Sequence, residues 1–66
     1  MISYKPFWST VKKKKLNTYL LEKEYGFSNS LIDKLKHDKN INISTINSIL
    51  NKLNIGIKDF MEYKKD

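Results

Sequence analysis

The chain has 66 residues, room for one domain that hides only about 60% of its unfolded surface. It has no cysteine and a single histidine, His37, which excludes disulfides, thiolate metal sites and a histidine-rich metal site. Its net charge of +6 rests on thirteen lysines with no arginine, so a polyanion such as nucleic acid or an anionic membrane face is the fitting partner class; a basic protein with no such partner is the plain alternative.

"MISYKPFWST", residues 1–10, has no apolar signal-like core and reads as cytosolic sequence. No run approaches the roughly 18 apolar residues of a membrane span. There is no linker, low-complexity tract or repeat, so residues 1–66 are expected to form a single domain. Apolar residues recur at three- and four-residue spacing, with no apolar/polar alternation flanked by turn pairs, so helices are expected and strands are not.

The first helix, about residues 6–14, opens on Pro6, whose missing N–H costs nothing in a first turn. Phe7, Trp8 and Val11 form its inner face. "VKKKKL", residues 11–16, closes it with four lysines that complement the helix dipole. The run could also lie against phosphates. A membrane role needs a longer apolar face than these three residues provide.

Each later helix opens on one local pattern. An apolar residue precedes a cap-type residue, and a second apolar residue follows four places after the cap. The pairs are Leu16-Asn17 with Leu21, Phe27-Ser28 with Ile32, Ile41-Asn42 with Ile46, and Ile55-Gly56 with Phe60. This is the spacing of the hydrophobic staple over an N-cap. It predicts helices over about 18–25, 29–37, 43–53 and 57–63. Their inner faces are Leu20, Leu21 and Tyr25; Leu31, Ile32 and Leu35; Ile43, Ile46, Ile49, Leu50 and Leu53; and Ile57, Phe60 and Met61. None of the five is long enough to be stable alone, so they pack as one all-α bundle.

Helix two stops at Gly26 and helix three starts at Ser28. A turn this tight crosses the two axes steeply, as in a helix-turn-helix unit, and leaves one face of the second helix turned outward. Residues 17–38, "NTYLLEKEYGFSNSLIDKLKHD", resemble the helix-turn-helix of the Cro/phage-repressor type of transcriptional regulator through Leu21, Tyr25, Gly26, Phe27, Ile32 and Leu35. The likeness continues through Thr45 to Tyr63. Two positions depart from the family pattern: Glu22 stands where a small residue is usual, and Thr18 where glutamine is common.

The resemblance implies a compact five-helix bundle of the lambda-repressor-like type. It also implies a sequence-specific regulator of double-stranded DNA, a repressor acting by occupying an operator. Asn29, Ser30, Asp33 and Lys34 are then expected at base edges, and Thr18, His37, Lys39 and Asn40 at the DNA backbone. Asn29 suits adenine and Lys34 suits guanine. Asp33 could accept from cytosine or pair with His37 four residues on. Each has a plainer reading: Asn29 and Ser30 as good first-turn residues, Lys34 as a solvated lysine, His37 as a dipole-favoured helix end.

Tyr4, Trp8, Tyr19 and Tyr63 exceed what the core needs and point to an interface. Phe60, Met61 and Tyr63 are expected to pair two copies, a homodimer being the usual state of such regulators. No cofactor, metal or small-molecule ligand is implied, and the setting would be cytoplasmic, in a bacterium, plasmid or phage. A catalytic role is disfavoured because the titratable groups are scattered, and adjacent His37 and Asp38 point apart on a helix. The alternative function is a protein-interaction module, antitoxin-like or adaptor, built on the same fold.

Overall fold

The computed structural model describes residues 1–66. The elements in order are β1 (Ile2–Ser3), α1 (Lys5–Lys13), α2 (Thr18–Lys23), α3 (Asn29–Lys36), α4 (Ile43–Leu53), a 3₁₀ turn (Ile57–Asp59) and β2 (Glu62–Tyr63). The fold is therefore mainly helical, with four α-helices where five were expected. In place of a helix over 57–63 stand the 3₁₀ turn and a strand. β1 and β2 pair antiparallel, Ile2 opposite Tyr63 and Ser3 opposite Glu62.

The three internal starts follow from their caps. Asn17 Oδ1 accepts from Leu20 N–H at 2.9 Å, Ser28 Oγ from Leu31 N–H at 3.1 Å, and Asn42 Oδ1 from Thr45 N–H at 2.8 Å. Each bond satisfies one of the donors that a helix start leaves bare.

Three of the four helix ends share a device that contains no glycine. Lys15, Asp38 and Asn54 take left-handed φ values of 58°, 52° and 54° after α1, α3 and α4. The next residue's N–H then reaches back: Leu16 to the Val11 carbonyl, Lys39 to Lys34 and Ile55 to Leu50, at 2.9–3.1 Å. These are Schellman closures. A side chain in that conformation costs about 1–2 kcal/mol, against about 0.5–1 kcal/mol of extra chain entropy for glycine. Lys15→Gly is therefore expected to stabilise the fold by about 0.5–1 kcal/mol, read as a thermal midpoint several degrees higher.

Ten residues form the core: Tyr4, Phe7, Val11, Leu21, Phe27, Ile32, Leu35, Ile49, Leu53 and Phe60. Its centre is aromatic. Phe7 meets Phe60 edge-on at 5.6 Å and stacks on Phe27 at 6.3 Å, while Tyr4 tilts against Phe60 at 5.4 Å.

Two inner-face expectations fail. Ile43 is 82% exposed and Ile57 half exposed, because each is the first residue of its turn and points away from the packed stripe.

α1 lies between two parts of the chain. On one flank the Trp8 indole N–H donates to the Leu35 carbonyl at 3.1 Å. The Tyr4 hydroxyl donates to the Lys39 carbonyl at 2.8 Å and the Tyr4 amide to Asp38 Oδ1 at 2.9 Å. On the other flank the Thr10 hydroxyl donates to the Asp59 carbonyl at 2.7 Å, and Phe7 N–H to the Phe60 carbonyl at 3.1 Å. Tyr4 and Trp8 are thus pegs in the protomer's own interior, and not the surplus surface aromatics expected. Burial, with the Asp38 carboxylate close by, raises the Tyr4 phenol above its ordinary pKa.

Candidate nucleic-acid interface

α2 gives way to α3 over five residues, 24–28. Glu24 N–H closes onto the Leu20 carbonyl at 2.7 Å, Gly26 takes φ +72°, and Phe27 N–H reaches the Leu21 carbonyl at 3.0 Å. A Cβ on Gly26 would meet only the Lys52 ammonium, at 4.0 Å. The left-handed φ, not space, is what demands glycine there. Phe27 anchors the turn in the core. Lys52 Nζ donates to the Tyr25 carbonyl at 3.0 Å, tying α4 to the same turn.

This anchoring fixes the orientation of α3. Ile32 and Leu35 are buried and Leu31 half-buried, while Asn29, Ser30, Asp33, Lys34 and His37 are all exposed. At about 100° per residue those five fall within an arc of roughly 140°. All four side chains expected at base edges therefore share one open face.

Asp33 sits at the centre of a small charge cluster. Lys39 Nζ lies 3.3 Å from its Oδ2 and His37 Nδ1 lies 3.1 Å from its Oδ1. The His37 ring nitrogen is also 3.0 Å from the Asp33 carbonyl. The Lys39 hydrogen bond and charge, with His37 adding to them, hold the Asp33 carboxyl below its ordinary pKa. A depressed carboxylate keeps its favourable pairing above the usual carboxylate range and loses it as pH falls through the lowered value. At neutral pH the cluster is intact. The His37 pairing was one reading of the sequence; the Lys39 partner was not foreseen, because six residues is no helical spacing. The left-handed turn at Asp38 brings it back.

The other expected positions surround this face. Thr18 is half-buried at the first residue of α2, and Lys39 and Asn40 are exposed in the loop after α3. Ser30 and Lys34, with Asn42 and Thr45 at the start of α4, line a cleft of about 210 Å³. Exposed Ile43 stands one residue beyond Asn42. Nothing in the residue pattern flags these α4 positions, which read as cap and inner face. Glu22, at the family's small-residue position, is half-buried.

The residues expected to pair two copies divide. Met61 is half-buried and Tyr63 is 67% exposed, but Phe60 is 0% exposed. Phe60 is a correction: it packs between Tyr4 and Phe7 and offers no surface to a partner. The lysines of residues 12–15 are exposed, and no helix is long and apolar enough to cross a membrane.

A family model described as the Cro/C1-type HTH DNA-binding domain matches residues 7–66. Among solved structures, the crystal structure of the transcriptional regulator VanUg, form II, superposes with a TM-score of 0.85 at 23% identity. It covers 98% of this chain and 87% of that one. No curated protein matches the sequence.

Proposed function

Because the chain belongs to the Cro/C1-type helix-turn-helix DNA-binding domain family, we propose that it is a sequence-specific transcriptional regulator, a repressor that occupies its operator. α3 enters the major groove. The observation that carries this reading is the single open polar face of α3, held rigid by the turn at Gly26. A helix with its side chains is about 10–12 Å across, and the major groove is about 12 Å wide.

Asn29, Ser30, Asp33 and Lys34 face base edges in this reading, with Asn29 on adenine and Lys34 on guanine. Thr18, His37, Lys39 and Asn40 meet phosphates, which position the protein without reading sequence. Asp33 spares the complex a bare carboxylate by holding Lys39 and His37 beside it. Asp33→Asn is therefore expected to raise affinity for duplexes of any sequence about three- to tenfold at low salt. A loss confined to the preferred site would instead make Asp33 a reader of cytosine.

A second copy would pair through Tyr63 and Met61, beside exposed Met1 and Ile2 on the same small sheet. Two-fold pairing puts two α3 helices about 34 Å apart on a near-palindromic site. Sedimentation equilibrium at high micromolar concentration tests it: a dimer is expected, and a monomer rejects it.

Selection from a random duplex pool tests the function. One enriched sequence is expected, bound with an affinity that falls log-linearly with salt, by about 0.9 per phosphate neutralised. No enrichment together with no salt dependence overturns the regulator reading.

A further inference from the structure

The positive charge of this chain is not concentrated on its recognition helix. Around α3, Lys34, Lys36 and Lys39 are set against Asp33 and Asp38. α1 and the residues just after it carry Lys5, Lys12, Lys13, Lys14 and Lys15, and the C-terminal segment adds Lys58, Lys64 and Lys65, against only Asp59, Glu62 and Asp66. The greater part of the basic excess thus lies elsewhere.

It has a shaped receptor there. Lys5, Lys13, Lys58 and Lys64, with Asp59 and Glu62, line a cleft of about 460 Å³ between α1 and the 3₁₀ turn–β2 segment, with no hydrophobic residue in its lining. The cleft lies along the flank of α1 that binds Asp59, away from the flank where Trp8 binds α3. Lys5, Ser9 and Lys13 succeed one another every fourth residue, so they form one stripe rising about 6 Å per step. None of the four lysines forms an ion pair, although two carboxylates share the cleft.

We propose that this cleft is a second anion-binding site that takes the phosphate backbone of a further nucleic-acid duplex, so that one protomer joins two DNA segments. The chemistry selects this occupant. Lysines act as point charges and follow phosphates without the fork geometry that arginine uses for planar recognition. Single-stranded nucleic acid needs aromatic platforms for its bases, a membrane needs an apolar face under the lysines, and a protein partner needs an apolar or aromatic anchor; the cleft has none of these. The site does not depend on α3 reading sequence.

The test immobilises a 20-base-pair duplex, saturates it with protein at 150 mM salt, and adds a second, fluorescent duplex of random sequence. Wild-type protein is expected to capture the second duplex. A variant carrying K5Q, K13Q, K58Q and K64Q, shown folded by its thermal melt, is expected to lose capture at least tenfold while binding the first duplex within about threefold, since charges beyond about 8 Å are screened at this salt. No capture by the wild type overturns the proposal. So does undiminished capture by the variant, which would mean that paired α3 faces form the bridge. Equal loss of both steps would mean that cleft and α3 hold one duplex, and polyglutamate competing as well as DNA would assign the cleft to acidic protein; either overturns it. Failure of the regulator reading looks different: Asn29→Ala and Lys34→Ala would leave site preference unchanged while the four-lysine variant still lost capture.

Discussion

Phe60→Ala is expected to remove a large part of the fold's stability. Phe60 is fully buried and touches Tyr4 and Phe7, and its carbonyl holds the Phe7 amide. Truncating a buried phenylalanine costs about 3–5 kcal/mol. A chain of this length has roughly 3–10 kcal/mol in total, so the loss removes between roughly three-tenths of the stability and all of it. Circular dichroism should show a midpoint lower by more than about 12 °C. Tyr63→Ala, three residues on at an exposed position, is expected to move stability by no more than about 0.5 kcal/mol. If Phe60→Ala melted like the wild type and altered only self-association, the placement of Phe60 in the core would be wrong.

The second large effect concerns DNA. Asn29→Ala and Lys34→Ala are each expected to cost about 1–3 kcal/mol on the preferred site, and much less on random duplex. That is a loss of roughly 5- to 150-fold in affinity. Both side chains are exposed, and neither forms an ion pair or a side-chain hydrogen bond, so the fold should be unaffected. Lys39→Ala, at a position proposed to meet a phosphate, should weaken both duplexes about equally. Equal losses from all three changes would remove any base-reading role from α3.

What could be read in the residues was local. Asn17, Ser28 and Asn42 cap as their spacing says, because a cap is a bond between residues three apart. The turn at Gly26 was legible for the same reason, and with it the outward face of α3. Most of the misreadings involve distant partners. Ile57, Phe60 and Met61 have helical spacing, yet Glu62 and Tyr63 pair as a strand with Ser3 and Ile2 from the other end of the chain, and no helix runs through the segment. Tyr4 and Trp8 looked superfluous until the carbonyls of Lys39 and Leu35 supplied acceptors for their polar ends. The Schellman closures at Lys15 and Asp38 carry no glycine to announce them. The α1 cleft could not be seen at all, since it joins lysines from both ends of the chain.

The pairing of β1 with β2 brings the Met1 amine onto the Lys64 carbonyl and the Asp66 carboxylate. Head and tail are already neighbours, so a peptide bond through a few added residues would make a ring with little distortion. Such a ring would have fewer unfolded conformations to explore. It could then be reopened within an exposed loop to give a permuted order of helices around the same aromatic centre.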